Sequence, residues 1–482
     1  MTNRRDFLKL GLAAAIPASA VPTPSPIKHV IVLMLENRSF DHMLGFSGLP
    51  GTAIPEGLTD SGFRPVPEGV DSGFPGVDPD PDHDFASVML QMYGQTKYDP
   101  QARPTMNHFV RSYQSACGIA GCGKNIMNCQ PPGAVPVLTK LASEYALCTS
   151  WFSSIPGPTL PNRLFVHLGT SMGRLDMSAI DVDAPKSVYE VLGEGNVSST
   201  IYASGWSTAA TFPALNEYPE RYFGTLDDFY QDCADNDLPG YCFLEPQYGS
   251  DLVDGVFRPQ NDQHPDSDLL AGDELILSIY NAICARQEVW ESSVFIITYD
   301  EHGGIYDHCV PPPAVAPDCE SSQDPPFDFK RYGVRVPAVI VSPYTPRGML
   351  VTDVCDHTSV IACARKLLTG VWQDCKLGLR AQQAYPLDAA FQFDKSPRPA
   401  EKLYVPLVAR ARSLPRPKKK NGLQSEYVEM AKRLEEKLSP NRQTGIVTGK
   451  IKTDMDAQHY IRHVYAEVAR FKTPEGGRCG CA

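Results

Sequence analysis

Two runs of apolar residues, far apart in the chain, both end in a pair of polar residues that includes a carboxylate. Residues 28–35 read KHVIVLML and lead into Glu36 and Asn37, and residues 294–299 read VFIITY and lead into Asp300 and Glu301. Such runs predict strands that are buried on both faces of a parallel sheet. Because ligands of open α/β sheets bind beyond the carboxyl ends of strands, the two polar pairs form one site if these strands are neighbours.

Further strands and helices complete an α/β pattern. A third strand of the same parallel kind is predicted over residues 335–342, and helices fit the apolar spacing of residues 136–145, 272–286 and 358–368. This alternation predicts a doubly wound α/β fold. Residues 45–105 and 309–330 are rich in glycine, proline and aspartate without periodicity, so we expect long loops there, of the kind that often surround a functional site.

Length and charge exclude some classes of protein. The chain has 482 residues, of which 42% are hydrophobic, enough for one large α/β core or two ordinary domains. Its formal net charge is −12 at pH 7, and it contains no basic stripe interleaved with aromatic residues. We therefore expect no nucleic-acid partner.

The N-terminal residues have the order of an export signal. Arg4 and Arg5 form a twin-arginine pair, residues 10–16 are apolar, and residues 18–20 (ASA) fit a cleavage site. We expect residues 1–20 to be a twin-arginine signal peptide and the mature protein, from about Val21, to be secreted or periplasmic. The alternative is a short amphipathic helix of the mature fold. No other run is long and apolar enough to predict a transmembrane segment.

The chain contains 14 cysteines, many for a cytosolic enzyme but compatible with disulfides after export. Cys117, Cys122 and Cys129 are close in sequence, as are Cys309 and Cys319. Their spacing does not form paired CxxC motifs, so disulfides or buried free thiols are favoured over a zinc site.

The composition changes near residue 400, which divides the chain into a catalytic domain over residues 21–400 and a helical extension over residues 401–482. Residues 410–420 read RARSLPRPKKK and are either a solvated linker or a contact for anionic headgroups at a membrane surface. Helical spacing predicts one helix containing Tyr427, Met430, Leu434 and Leu438, and another over residues 453–471 that opens with Thr453 and Asp456 in a capping-box pattern.

A third polar segment reads GPTLPNR over residues 157–163 and leads into the apolar residues LFVHLG. A turn followed by a helix places the Thr159 hydroxyl near a helix N-terminus, where backbone N–H groups and the helix dipole favour a phosphate or an alkoxide. An isolated threonine at such a position is more often a simple N-cap. The residues 300–308, DEHGGIYDH, add further carboxylates, imidazoles and flexible glycines after a buried strand.

These segments together resemble the motifs of one known family. The sequences ENRSFD at 36–41, TLPNR at 159–163, DEHGGIYDH at 300–308 and GVRVPAVIVSPYT at 333–345 occur in the order found in the non-specific phospholipases C and related acid phosphatases. Further agreement lies at NDQHP, 261–265, and DHT, 356–358. The resemblance implies an alkaline-phosphatase-like α/β fold with a mixed sheet flanked by helices.

The resemblance also implies a metal site. Transferred by motif position, the metal ligands are Glu36, Asn37, Thr159, Asp300 and Glu301. These are hard oxygen ligands suited to one divalent ion, and calcium, zinc and magnesium all remain open.

The mechanism expected from these residues is a displacement at phosphorus. Thr159 acts as the nucleophile and forms a phosphothreonine that water then hydrolyses. His264 and His83 are the best candidates to hold phosphoryl oxygens or to protonate the leaving alcohol. His302, His308 and His357 are weaker candidates, and Asp307 is expected to orient His308.

Three functions are compatible with this pattern. The first is a phospholipase C that releases diacylglycerol and a phosphorylated headgroup, and the second is a secreted acid phosphatase that acts on soluble phosphomonoesters. The third is a catalytically silent protein that binds phosphorylated ligands, and the intact set of metal ligands argues against it. We favour the phospholipase because of the motif pattern and the basic run at 410–420.

Overall fold

The computed structural model describes residues 25–67, 77, 79–177, 184–253, 255–265, 267–405, 420, 422–436, 440 and 443–470. The signal peptide predicted over residues 1–20 and the basic run up to residue 419 lie outside these ranges. The strands are β1 (His29–Leu35), β2 (Val66–Pro67), β3 (Asn128–Cys129), β4 (Ala146–Cys148), β5 (Ser199–Ala203), β6 (Phe223–Thr225), β7 (Tyr241–Glu245), β8 (Asp251–Val253), β9 (Val256–Arg258), β10 (Ser293–Tyr299), β11 (Ser322–Gln323), β12 (Pro326–Phe327), β13 (Ala338–Val341) and β14 (Met349–Val351). The α-helices are α1 (Phe40–Leu44), α2 (Phe85–Tyr93), α3 (Phe109–Cys117), α4 (Pro136–Glu144), α5 (Thr159–Leu168), α6 (Val188–Glu194), α7 (Pro213–Asn216), α8 (Pro219–Tyr222), α9 (Leu226–Asp235), α10 (Leu269–Ile283), α11 (Gln287–Glu291), α12 (Thr358–Thr369), α13 (Gly378–Gln383), α14 (Gly422–Glu435) and α15 (Asp454–Arg470).

Eight strands form one mixed sheet, in the order β14-β4-β13-β10-β1-β7-β5-β6. β13 is antiparallel to both of its neighbours, whereas the other neighbouring strands of this sheet are parallel. The parallel direction predicted for the strand at 335–342 is therefore wrong. Residues 300–337 contain no helix that would carry the chain back across the sheet, and a parallel return needs such a crossover.

The two strands that ended in polar pairs are neighbours at the centre of this sheet. β1 and β10 pair in parallel over their full length, from His29 with Ser293 to Leu35 with Tyr299. Their side chains are buried apart from that of His29, because helices such as α4 and α12 contact the sheet. The predicted α/β architecture, a mixed sheet flanked by helices, is confirmed.

One predicted loop contains a helix. α2 lies within residues 45–105, and the side chain of Asp84 caps it by accepting hydrogen bonds from the N–H groups of Ala86 and Ser87. An apolar cluster that includes residues of α2 and α3 packs against Ile305 and Tyr306, which follow β10. A helix of only nine residues gives a weak periodic signal, and its stability comes from this cap and packing.

The cysteines near residue 120 include one disulfide. Cys117 and Cys122 are bonded to each other, and Cys129 is buried. Cys309 and Cys319, which are close in sequence, are both free. The structure therefore agrees with the expectation of disulfides or free thiols at these positions.

The C-terminal extension contains both predicted helices. Tyr427 and Met430 of α14 are buried, and Leu438 lies outside the described residues. At the start of α15, the Asp456 N–H donates to Thr453 Oγ1 and the Thr453 N–H donates to Asp456 Oδ2, both at 3.1 Å, which is the predicted capping box. α14 and α15 pack against each other. Among the described residues, no helix has the length and apolar character needed to cross a membrane.

Candidate active site

The polar pairs that follow β1 and β10 lie side by side. The Asp300 N–H donates to the carbonyl oxygen of Leu35 at 3.1 Å, and the Asn37 N–H donates to Asp300 Oδ1 at 2.9 Å. Glu36, Asn37, Asp300 and Glu301 are all buried. The parallel register of the two strands therefore brings together the polar segment after β1 and the polar segment after β10.

A close approach of the two segments requires glycine at position 303. Gly303 has a φ of +65°, and a Cβ atom there would lie 2.4 Å from the carbonyl oxygen of Asn37. The Gly303 N–H donates to Glu301 Oε2 at 2.7 Å. This turn holds one oxygen of Glu301 against the backbone.

Thr159 is the first residue of α5 and points its hydroxyl at the first polar segment. Pro158 occupies the N-cap position, so Thr159 is not a simple N-cap. Thr159 Oγ1 lies 3.4 Å from Glu36 Oε2 and 3.3 Å from Asn37 Oδ1, and its residue is buried. The structure thus brings the predicted nucleophile to two of the predicted metal ligands, at the N-terminal end of a helix dipole.

Arg163 supplies a buried positive charge to this cluster. Its Nε donates to Glu36 Oε1 at 2.8 Å and its Nη2 contacts the same oxygen. Its Nη1 donates to Glu245 Oε2 at 2.8 Å, and its Nε lies 3.6 Å from Asp300 Oδ2. One guanidinium therefore contacts three buried carboxylates. Because Arg163 binds Oε1 of Glu36, the other oxygen, Oε2, is directed towards Thr159.

Arg163 and Glu245 are functional residues that the sequence motifs alone do not identify, although signals for both exist. Arg163 lies four residues after Thr159, so both side chains project from the same side of α5. Glu245 is the last residue of β7, whose sequence YCFLE has the same form, an apolar run ending in an acid, as the two strands that carry the site. β7 is the other neighbour of β1.

Two carboxylates of the site, Glu36 and Asp300, are poorly compensated. Burial raises the pKa of Glu36 well above its usual value, with Arg163 opposing this and the neighbouring Asp300 adding to it. Burial also raises the pKa of Asp300, again against Arg163. Among the described residues, no donor forms a hydrogen bond with Asp300 Oδ2 or Glu301 Oε1, and Arg163 Nε, 3.6 Å from Asp300 Oδ2, makes an ion-pair contact only. Buried oxygens without donors, in a cluster with more carboxylates than cations, favour the binding of a metal ion.

The two histidines predicted to be catalytic flank this cluster. His83 Nε2 lies 3.4 Å from Asn37 Nδ2 and 3.9 Å from Glu301 Oε1. Burial lowers the pKa of His83, but Glu301 and Asp80 outweigh it and leave the pKa above its usual value. His264 is fully buried, and its Nε2 lies 3.6 Å from Asp80 Oδ2.

Two other histidines hold the site residues in place. His357 Nε2 lies 2.6 Å from the carbonyl oxygen of Asp300, and burial lowers the pKa of His357 to about 4, so the ring is neutral at pH 7. His302 lies between Gln91 Oε1, 2.9 Å from its Nε2, and Glu301 Oε2, 3.2 Å from its Nδ1. His357 therefore contacts the backbone of one predicted metal ligand, and His302 lies beside the carboxylate of another.

A second ionic cluster ties three of the sequence motifs together. Arg335 Nη2 donates to Asp41 Oδ1 at 2.7 Å, and Arg335 Nε lies 3.2 Å from Asp307 Oδ1. His308 Nδ1 lies 2.6 Å from Asp41 Oδ2. The expectation that Asp307 orients His308 is therefore wrong, because Asp307 accepts from Arg335 and from the Asp41 N–H, and Asp41 holds His308. The sequence did not show that Asp41, so distant along the chain, would be the nearer carboxylate.

Among the described residues, one group of side chains has the ligand spacing of a metal site, and the predicted ligands around Thr159 form a second set of oxygen donors. Ligand atoms of Asp41, Asp307 and His308 lie within 4.8 Å of one another, but Arg335 already compensates both carboxylates. The other group contains the oxygens that face Thr159 and the two carboxylate oxygens without donors. The unmet hydrogen-bonding capacity of the second group makes it the better fit for a divalent cation.

Replacing Arg335 by methionine should lower the free energy of unfolding by about 3–5 kcal/mol, because Asp41 and Asp307 would remain buried without their cation. Urea unfolding followed by circular dichroism measures this loss. Arg347 is the matched control: its side chain is 72% exposed and pairs with Glu144 at 2.7 Å. Methionine there should cost less than about 1 kcal/mol. Equal losses for the two variants would contradict the role given to Arg335.

The chain is similar to curated phospholipases from plants and bacteria. Non-specific phospholipase C6 of Arabidopsis thaliana is 35% identical over 368 residues, which cover 71% of this chain and 68% of the relative. Non-specific phospholipase C3 of the same plant is 33% identical over 419 residues, covering 81% and 78%. Phospholipase C B of Mycobacterium tuberculosis is 26% identical, covering 83% of this chain and 87% of the relative.

Among solved structures, a protein of the alkaline phosphatase superfamily from Vibrio parahaemolyticus matches 72% of this chain and 68% of its own, with 9% identity and a TM-score of 0.34. A family model described as the phosphoesterase family matches residues 27–368, which contain the site and the central sheet. The chain therefore belongs to the phosphoesterase family that includes the non-specific phospholipases C, and it is a hydrolase of phosphoric esters.

Proposed function

We propose that this protein is a phospholipase C that cleaves glycerophospholipids into diacylglycerol and a phosphorylated headgroup, with Thr159 as its nucleophile. The observation that supports the nucleophile most strongly is the position of Thr159 Oγ1, 3.4 Å from Glu36 Oε2 and 3.3 Å from Asn37 Oδ1 at the start of α5. An ordinary capping threonine has no reason to face buried carboxylate and amide oxygens. The names of the plant and bacterial relatives support the lipid substrate.

One divalent ion is proposed to bind among the five predicted ligands, Glu36, Asn37, Thr159, Asp300 and Glu301. Such an ion lowers the pKa of a coordinated hydroxyl and compensates charge on phosphoryl oxygens. Arg163 prepares the set by holding Glu36 Oε1, so that Oε2 stays directed at Thr159. The oxygen-only composition is compatible with calcium, magnesium or zinc.

The chain's own residues then supply the two steps of the reaction. Thr159 Oγ attacks phosphorus after losing its proton to water, and the bond from phosphorus to the diacylglycerol oxygen breaks as the Oγ–P bond forms. His264 or His83 gives a proton to the departing alcohol oxygen. Water then attacks the phosphorus of this threonine-bound headgroup phosphate, the Oγ–P bond breaks, and a proton from the water returns to Thr159 Oγ as the phosphorylated headgroup leaves.

The same proposal includes export and contact with a membrane surface. The twin-arginine pattern in residues 1–20 and the Cys117–Cys122 disulfide support the twin-arginine route and an oxidising compartment. The basic run at 410–420 supports peripheral contact with anionic headgroups.

Replacing Thr159 by alanine should abolish turnover, while serine, which keeps a hydroxyl, should retain measurable activity. Phosphorus NMR of each variant with phosphatidylcholine micelles, and separately with an aryl phosphomonoester, measures this. Phosphocholine is the expected main product from the wild-type protein. Inorganic phosphate released only from the monoester would identify an acid phosphatase with the same nucleophile. Wild-type activity in Thr159→Ala would contradict the proposed mechanism.

Replacing His264 by asparagine tests proton donation to the leaving alcohol. Loss of a general acid should lower kcat about 10²- to 10⁴-fold with phosphatidylcholine, whose alcohol is a poor leaving group. The same variant should change kcat much less with a 4-nitrophenyl phosphodiester, because nitrophenolate departs without a proton. His83→Asn is measured in parallel. The general acid is the histidine whose replacement lowers kcat with phosphatidylcholine much more than kcat with the nitrophenyl phosphodiester. If both variants lose kcat equally with the two substrates, neither histidine is the acid.

A further inference from the structure

We propose that Tyr427, on α14 of the C-terminal extension, is a positioning residue for the active site. It supports Tyr248 and, through it, Glu245, so that Arg163 stays on Glu36. The consequence for catalysis rests on the proposed function, whereas the chain of contacts can be tested without it. The extension is then part of the catalytic unit and does more than cover the surface.

The inner link of this chain joins Arg163 to Tyr248 through Glu245. Arg163 Nη1 donates to Glu245 Oε2 at 2.8 Å, and the Tyr248 hydroxyl contacts the same carboxylate oxygen. The guanidinium carbon of Arg163 lies 5.2 Å from the centre of the Tyr248 ring. A buried cation beside an aromatic face gains a favourable interaction that water would weaken. Tyr248 therefore acts on both partners of the ion pair.

The outer link joins Tyr248 to Tyr427. Their ring centres are 5.2 Å apart with the planes at 63°, an edge-to-face contact. The Tyr427 hydroxyl lies 3.2 Å from Thr208 Oγ1, and the Thr208 N–H donates to Glu245 Oε1 at 3.3 Å. Tyr427 thus contacts residues that hold each of the two oxygens of Glu245, and it is only 1% exposed.

Other contacts hold α14 in this position. The Gln424 side-chain amide donates to the carbonyl oxygen of Tyr248 at 2.8 Å, so the helix is attached to the same residue twice. The Tyr460 hydroxyl of α15 donates to Glu435 Oε2 of α14 at 2.7 Å. Arg462 Nε of α15 donates to Asp251 Oδ2 at 2.7 Å, which joins the helix pair to the catalytic domain.

The physical reason for a long-range effect is the burial of the charges. The Arg163 pairs are strong only while water is excluded and the carboxylates keep their orientation. Loss of the Tyr427 ring opens space beside Tyr248, so Glu245 can turn and Arg163 can follow it away from Glu36. Loss of an outer residue that orients a metal ligand typically lowers metal affinity or activity 10- to 100-fold.

The test compares Tyr427→Ala and Tyr427→Phe in the full chain. For Tyr427→Ala, kcat with a short-chain soluble phosphatidylcholine should fall at least about tenfold, while KM changes little, because the substrate contacts are intact. The Arg163 Nε–H signal in nitrogen-15 NMR, identified by its absence in Arg163→Lys, should shift and exchange faster with water. Tyr427→Phe keeps the ring and should restore both.

Tyr280→Ala is the matched control, because it removes a buried tyrosine ring whose partners are Tyr145, Trp290 and the carbonyl oxygen of Glu401. It should lower the melting temperature yet leave kcat and the Arg163 signal as in the wild type. The same loss of kcat in Tyr280→Ala, or an unchanged Arg163 signal in Tyr427→Ala, would overturn the proposal.

If Tyr427→Ala does not fold, Tyr427→Leu decides. It fills most of the buried space and removes the edge-to-face ring contact with Tyr248, so a shifted Arg163 signal supports the proposal and an unchanged one rejects it. Should the wild-type protein hydrolyse no phospholipid, the proposed substrate fails. The Arg163 signal would still show whether Tyr427 positions the ion pair.

Discussion

A buried guanidinium among carboxylates is the interaction on which the rest of the site depends. Arg163 contacts Glu36, Glu245 and Asp300, which lie at the carboxyl ends of three neighbouring strands of the sheet. Without this cation, Glu36 and Glu245 would be buried without the guanidinium that they share. With it, the cluster still has more carboxylates than cations, and that imbalance favours a metal ion. The position of Arg163 on α5 also couples the cluster to Thr159, because both residues belong to one short helix.

The motifs that are separate in sequence form one rigid set of loops at the end of the sheet. Parallel register places the ends of β1 and β10 together, and the Arg335 cluster then fixes the segments that follow these strands through Asp41 and Asp307. The cluster around Arg335 holds the loops, and the cluster around Arg163 holds the carboxylates of the proposed metal site. Rigid loops matter because a displacement of about 1 Å at a reacting group can lower a rate 10²-fold.

The sequence predicted the parts of this arrangement that depend on local pattern. Apolar runs followed by acids located β1 and β10, and the turn before α5 located Thr159 at a helix N-terminus. It did not predict the direction of β13, because an apolar run reads the same in either direction and the direction depends on the connection before it. It also gave no role to Arg163, since the partners of a charge depend on which strands are neighbours. That information is in the sheet order and not in any single segment.

The most direct test of the mechanism with Thr159 as nucleophile is to look for the covalent intermediate. Purified protein is mixed with phosphatidylcholine, quenched in acid within milliseconds, digested, and analysed by mass spectrometry. The proposed mechanism predicts a phosphocholine group on the peptide that contains Thr159. This group should be present in the wild-type protein and absent from Thr159→Ala. Detection of the adduct on another residue would contradict this mechanism. So would turnover during which Thr159 is unmodified at every quench time, if the Thr159→Ala variant is also active.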